Sequence, residues 1–325
     1  MRKDGDDLMQ PPTTFTKRDE LLADVAEMYY VKEMNQSEIA KKIGMTRSMV
    51  SKYLSAAKVK GIVQIQIQRP VVFNLELSKY LKEKYKIRDA FVIEKELIPD
   101  EVTSLVKLGL GASMVLKKYI CPNCIVGTAW GSAVNATIDA LEMEEFYPVK
   151  IVQLLGEAET QDKEYYDHAL IQRFAKKIMG EAYYLTAPLV VDNPSTAEAL
   201  VQNQNIREVL QLGKKCDLAV IGIGTLQKSD GSFQTQSYIP KDNLKSLLNL
   251  GAVGNVCARF YNVKGDYLKT ELDDRIIGIT VEDLIKIPIR LGIAAGQQKI
   301  EALKGALLGG FVNVLVTDYW TAKSL

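Results

Sequence analysis

The chain has 325 residues, 47% apolar and 25% charged, with a formal net charge of +1, which is enough to bury a sizeable core and long enough for two domains. No apolar run approaches the roughly 18 residues of a membrane-crossing helix, and the polar start MRKDGDDLMQPP lacks the apolar centre of a secretory leader, so the chain is expected in the cytoplasm with no membrane partner. The four cysteines include one C-x-x-C pair, Cys121 and Cys124, but no second pair or histidine cluster completes a tetrahedral site; reduced thiols and no bound metal are the expectation.

Residues 1–16, with Pro11 and Pro12, read as a mobile tail. From Lys17 to Lys32, Leu21, Leu22, Val25, Ala26 and Tyr29 recur at helical spacing and predict a first helix with one buried face. Asn35 followed by Glu38 approximates a capping box, Ile39, Ala40 and Ile43 give a short second helix its inward face, and Gly44 ends it. Thr46 then caps a third helix in which Val50, Leu54 and Ala57 point inward, with Gly61 at its left-handed end. Residues 36–69 hold seven basic side chains (Lys41, Lys42, Arg47, Lys52, Lys58, Lys60 and Arg69) against Glu38 alone, so this region faces a polyanion. Arg47, Ser48, Ser51 and Lys52 fall on the outward face of the third helix near its start, the end that a helix-turn-helix sets in the major groove. Together with Gln36 and Thr46 they are the candidate contacts to double-stranded DNA. IVQIQIQ, residues 62–68, alternates apolar and polar positions as an exposed β-ribbon does, and predicts a wing. Residues 17–70 are thus expected to form a winged helix-turn-helix domain.

Past Pro70 the texture changes. Residues 74–87 form an amphipathic helix with Leu75, Leu77, Leu81 and Tyr85 among charges, expected as a linker over 71–88 or as a surface that pairs subunits. From 89 to 325 short apolar runs alternate with helical segments: 89–94, 124–130, 150–156, 218–224, 276–280, 291–296 and 312–318. That alternation predicts an α/β domain with a mostly parallel, doubly wound sheet, whose ligands bind outside the carboxyl ends of the strands.

Candidate chemistry therefore lies just after each run. GTAWGSAV holds Gly127, Thr128, Gly131 and Ser132 at a strand-to-helix turn suited to an anion, although a tight connection explains the glycines equally well. Lys299 opens a late helix, where the macrodipole opposes a cation unless an anion is near. Asp273 and Asp274 precede a run and are able to accept bonds from sugar hydroxyls, or simply form a polar turn. GIG at 222–224 is too short for a dinucleotide fingerprint and no phosphate-binding G-x-x-x-x-G-K-[ST] occurs, so no nucleotide cofactor is expected.

These motifs in their order, LLADVAEMYYVKEMNQSEIAKKIGMTRSMVSKYLSAAKVKGIVQIQI, VGTAWGSAV, DLAVIGIG, GAVGNVCARFYNVKG, ELDDRIIGI and GGFVNVLVTDYWTAKSL, resemble the SorC family of bacterial sugar-responsive transcriptional regulators from about residue 18 to the last residue. The resemblance implies a DNA-binding domain and a Rossmann-like effector domain related to sugar-phosphate isomerases. It further implies a sugar or phosphosugar effector, allosteric control of operator DNA binding, and a homo-tetramer. It assigns the effector site to Gly131 and Ser132 with the helix that follows, Lys299 for phosphate, Asp273 for the sugar, Gln153 and Arg259 at the pocket border, and Trp130 against the sugar ring or in the pocket wall. Ala133 stands where the richest members carry a second hydroxyl, which weighs against a phosphorylated ligand. An isomerase-like enzyme is the alternative. The only histidine, His168, stands beside Asp167 with no triad or paired-carboxylate motif, so no catalytic residue is assigned.

Overall fold

The computed structural model describes residues 16–65, 70–95, 101–143, 145–158, 168–226 and 239–325, the side chains of 101–103 and 168 excepted; of the expected tail at 1–16, residues 1–15 lie outside them and Thr16 belongs to the first helix as its cap. The chain divides into two units, Met1–Arg69 and Pro70–Leu325.

In the first unit, local capping sets the helix boundaries. Thr16 and Asp19 cap each other's amides at the start of α1 (Lys17–Tyr30). Asn35 and Glu38 form the same reciprocal pair before α2 (Gln36–Ile43), which ends at Gly44 with φ 68°. Thr46 then accepts the Met49 amide at the start of α3 (Arg47–Val59). Each such pair satisfies amides that the helix itself leaves open. Leu22, Val25, Ile39, Val50, Leu54 and Ala57 close into one core, and each fully buried aliphatic side chain stabilises by about 1.5–3 kcal/mol. The expected wing departs from this. Ile62 and Val63 are half-buried against the core, and the Val63 amide donates to the Ala57 carbonyl at 3.1 Å, so this backbone closes the end of α3 and joins no ladder among the described residues. Residues 66–68 of the expected ribbon lie outside the described residues.

The second unit begins by covering an edge. The Glu94 amide donates to the Val72 carbonyl at 2.8 Å and the Asn74 amide to the Val92 carbonyl at 2.7 Å, so residues 72–74 run antiparallel to β1 (Asp89–Ile93). Helix α4 (Leu75–Tyr85) lies between them in sequence, capped by Asn74. Leu81 is fully buried and belongs to the core of this unit, so α4, expected from the sequence as a linker, packs into the second unit.

The remaining elements follow in chain order: α5 (Glu101–Lys117), β2 (Ile125–Thr128), α6 (Ser132–Asp139), β3 (Lys150–Gln153), α7 (His168–Ile178), β4 (Glu181–Tyr183), α8 (Pro194–Gln202), α9 (Gln204–Gly213), β5 (Leu218–Gly222), β6 (Gly224–Thr225), α10 (Lys241–Asn249), β7 (Ala252–Val256), β8 (Arg259–Asn262), α11 (Val281–Leu284), β9 (Ile289–Ile293), α12 (Ile300–Leu308), β10 (Val314–Asp318) and α13 (Tyr319–Ser324). Seven strands form one sheet in the order β1-β10-β9-β5-β2-β3-β4, and every pair in it is parallel. Val126, Leu218, Val220, Leu291, Val314 and Val316 face a core that also holds residues of α5, α6 and α7. Val152, Ala219, Ile221 and Leu315 face the opposite core, shared with α4, α9 and α12. Burial on both faces is why the strands read as continuous apolar runs. From β2 the chain moves outward to β3 and β4; from β5 it moves the other way to β9 and β10. The direction reverses between β2 and β5, and that switch point is where such sheets open a crevice at their carboxyl edge.

One expectation is corrected here, and some strands were not foreseen. The run at 276–280 is no strand: Ile276 and Gly278 make only isolated bridges, to Val190 and Leu155, because this segment crosses beyond the end of β3 and does not lie in the sheet. Conversely, the antiparallel trio β6-β7-β8 and the edge strand β4 went unread, being short or rich in Gly and Asn.

Candidate nucleic-acid interface and effector crevice

The first unit presents one face of α3 to solvent. Arg47, Ser48, Ser51 and Lys52 are exposed there, Thr46 is exposed at the cap and Gln36 is half-buried at the start of α2. The Thr46 hydroxyl is taken up by the Met49 amide and by Ser48, 3.0 Å away, so its role is to set the helix start. The basic residues separate into two groups that sequence cannot distinguish. Lys60 pairs with Asp19 and Lys58 sits over the Tyr30 ring, 5.7 Å from its centre, so both act within the unit. Lys41, Lys42, Arg47 and Lys52 are exposed and make no hydrogen bond or ion pair among the described residues. Their charge is available for phosphates.

In the second unit, three neighbouring strands, β9, β5 and β2, deliver their loops to the same edge. After β2, Gly131 adopts φ 150°, ψ 155° and precedes α6, which has no side-chain cap. After β9, Gly296 adopts φ 115°, ψ 144° and precedes a 3₁₀ turn, Gln297–Lys299, also without a side-chain cap. Only glycine enters this backbone region without strain. Each turn directs uncapped N–H groups at the edge on one side of β5, the arrangement that attracts an anion. Gly296 was not singled out in the sequence, where AAG reads as a strand end; the matching pair of turns emerges only from strand order. Thr225 ties the second turn to β6 by donating to the Gln298 carbonyl at 3.1 Å. Lys299 closes the 3₁₀ turn and caps α12. Its side chain is half-buried with no partner among the described residues, and burial lowers its pKa below the ordinary lysine value.

The other expected effector residues lie elsewhere or serve the scaffold. Gly127 is inside β2, where an added Cβ would meet Leu154 Cδ2 at 2.7 Å and Cys216 Sγ at 2.9 Å; its smallness admits those neighbours and not a ligand. Thr128 is fully buried and donates to the Val220 carbonyl at 3.0 Å. Gln153 is buried and bonded to the Leu155 carbonyl at 2.7 Å and the Leu185 amide at 3.3 Å. Trp130 is half-buried, its indole N–H directed at the Gly156 carbonyl at 3.4 Å and its ring packed against both cores of the second unit.

Arg259 and Asp273 do come together, at 3.0 Å, with both side chains only 5% exposed. Asp273 also accepts from the Thr270 amide at 2.8 Å and from the Tyr267 hydroxyl; burial first, then this carboxylate, push the Tyr267 hydroxyl well above its ordinary range, so it remains a donor. Asp273 lies in a 3₁₀ turn with Asp274, and every acceptor position of its carboxylate is engaged. The pair borders a cavity of about 300 Å³ that Gly278, Thr280 and Arg207 also line. Gly131, Ser132 and Lys299 are not in that lining, so the expected effector residues form two separate groups. His168 heads α7, its side chain outside the described residues, as is Asp167. Among the described residues no group of three or more His, Cys, Asp or Glu is placed to hold a metal, and no helix is long and apolar enough to cross a membrane.

A family model described as "Putative sugar-binding domain" matches residues 69–325. The chain is 28% identical over 309 residues to the deoxyribonucleoside regulator of Bacillus subtilis strain 168, covering 95% of this chain and 98% of that one. It is 27% identical over 307 residues to the sorbitol operon regulator of Klebsiella pneumoniae, covering 94% and 97%. The crystal structure of the full-length sorbitol operon regulator SorC from Klebsiella pneumoniae superposes with a TM-score of 0.72 at 26% identity, covering 95% of this chain and 99% of that one.

Proposed function

We propose, because the chain belongs to the SorC family of sugar-binding transcriptional regulators, that it is a sequence-specific regulator of a carbohydrate-metabolism operon, its operator binding controlled by a sugar or phosphosugar. The observation that carries the effector half is the pair of glycine turns, at Gly131 and Gly296, flanking the switch point with Lys299 beside them. The four exposed cations on α2 and α3, unpaired among the described residues, support the DNA half.

Phosphates supply affinity through Lys41, Lys42, Arg47 and Lys52, and the exposed face of α3, with Gln36, supplies base discrimination. The helix-turn-helix acts within a homo-tetramer, a dimer of dimers, whose symmetry calls for a roughly palindromic operator. The effector sits against Gly131, Ser132 and Trp130 with its anionic group toward Lys299. Arg259 and Asp273 hold the 273–279 segment in place and do not bind the sugar first-hand. To change DNA affinity the effector must favour one subunit arrangement over another by its differential affinity, typically about 1–3 kcal/mol.

The test is thermal unfolding of the full chain against matched sugars, polyols and their phosphates. A ligand that binds only the folded state stabilises it by about 2.7 kcal/mol at a hundred times its Kd. A shift confined to a phosphorylated compound, and lost in Gly131→Ala, supports this reading. A shift with the same compound that survives in Gly131→Ala and vanishes in Arg207→Ala would move the effector to the cavity beside Arg259.

A further inference from the structure

The C-x-x-C pair has no part in either half of that reading, yet the structure gives it a definite geometry. Cys121-Pro122-Asn123-Cys124 is a β-turn closed by the Cys124 amide donating to the Cys121 carbonyl at 3.2 Å. Proline in its second position and Asn123 at φ 63° in its third are the residues such a turn selects. The first and fourth Cα atoms of a β-turn lie within about 7 Å, overlapping the roughly 4.4–6.8 Å window of disulfides. The Cys121 amide donates to Cys124 Sγ at 3.4 Å, which draws that sulfur back over the turn and against the Cys121 thiol. The turn is pinned from outside as well: the Asn123 amide donates to the Pro148 carbonyl at 2.7 Å and the Lys150 amide to the Cys124 carbonyl at 3.1 Å. The Ile125 amide donates to Asp217 at 2.9 Å. Cys121 is exposed while Cys124, Cys216 and Cys257 are buried.

We infer that Cys121 and Cys124 form a reversible oxidation site, in which a small peroxide joins them as a disulfide across the turn. Cys121, in reach of solvent, attacks hydrogen peroxide as its thiolate. An S–O bond forms, the O–O bond breaks, the sulfur is oxidised by two electrons to a sulfenic acid, and the departing hydroxide is protonated to water. The Cys124 sulfur then attacks the Cys121 sulfur; the S–S bond forms, the S–O bond breaks, and hydroxide leaves with the Cys124 proton as a second water. Two thiols and one peroxide give one disulfide and two waters. Burial pushes the Cys124 thiol to about 11, which rules it out as the first attacker; its place across the turn from Cys121 gives it the second role, its proton passing to the departing hydroxide as it attacks. Cys216 is the competing partner, since β2 pairs with β5 two residues further on, Val126 opposite Leu218. It is buried and its own thiol is pushed to about 12, but it has no thiol in contact with solvent to begin the sequence.

The experiment treats the full chain with stoichiometric hydrogen peroxide, blocks remaining thiols with iodoacetamide, and examines the tryptic peptide 119–150, which contains Cys121 and Cys124 and no other cysteine. The expected product is that peptide unalkylated and about 2 Da lighter than its reduced form, restored by dithiothreitol. In Cys121→Ser, a surface change that spares the core, the light peptide disappears and Cys124 becomes fully alkylated on denaturation. Conversion of Cys121 to sulfinic or sulfonic acid without any light peptide would overturn the proposal, as would a cross-link between peptide 119–150 and the peptide bearing Cys216.

Discussion

The charge on the recognition surface sets a quantity that salt can read. Lys41, Lys42, Arg47 and Lys52 are exposed and unpaired among the described residues, whereas Lys60 is bound to Asp19. If each of the four neutralises one phosphate, the logarithm of affinity falls against the logarithm of salt with a slope of about 3.6 per bound unit, from about 0.9 for each contact. Between 50 and 200 mM salt that weakens binding about 150-fold. Arg47→Ala with Lys52→Ala halves the slope to about 1.8, and the same change in salt then weakens binding only about 12-fold. The assay is fluorescence anisotropy on a short random-sequence duplex, because this term is independent of sequence. Lys60→Ala serves as the comparison and leaves the slope at its parental value. A double variant with the parental slope, or a Lys60→Ala protein with a halved one, would show that the phosphates are met elsewhere.

Lys299→Met removes a half-buried amine that has no partner among the described residues, so the second unit should melt higher, by about 1 kcal/mol at the low end of the cost of an unpaired polar group, while losing its response to an anionic effector; calorimetry with and without ligand reads both. Asp273→Ala leaves Arg259 charged and buried without its carboxylate, which should cost about 3–5 kcal/mol by urea denaturation; a loss below about 1 kcal/mol would mean the pair is not closed to water in solution. In the first unit, the Lys60 ammonium, followed by the Thr16 amide, holds Asp19 at about 2, below its ordinary 3.8. A depressed carboxylate contributes stability that is present above its unfolded value and lost as pH falls through the folded one. Melting of Asp19→Asn should therefore trail the parent at pH 6, close part of the gap by about pH 2 and converge with it near pH 1, and a difference undiminished at that lower pH would assign the effect to packing.

What the sequence disclosed follows from how local each determinant is. The caps at Asn35 and Thr46 and the turn at Gly44 depend on contacts a few residues apart, so the helix boundaries of the first unit were legible. Strands buried on both faces announced themselves as apolar runs. The order of those strands did not, because it depends on pairings between residues far apart, such as Val126 with Leu218, and with it the matched glycine turns at Gly131 and Gly296 stayed hidden. Gly127, Thr128 and Gln153 stand at strand ends in the sequence, yet their neighbours are the scaffold. That is a matter of which side of a pleat each residue occupies and of which carbonyl lies within reach. Arg259 and Asp273 were both singled out, yet their mutual ion pair at 3.0 Å is invisible in a sequence.

The antiparallel run of residues 72–74 along β1 bears on how this protein can be cut. These residues occupy the outer N–H and C=O groups of the sheet's first strand, the kind of open margin through which sheets recruit one another into aggregates. A fragment beginning at residue 75 would retain every helix and strand of the second unit and still bare that margin, so it should precipitate or self-associate, whereas one beginning at residue 70 should stay dispersed. The first few residues of the second unit thus guard it against its own copies.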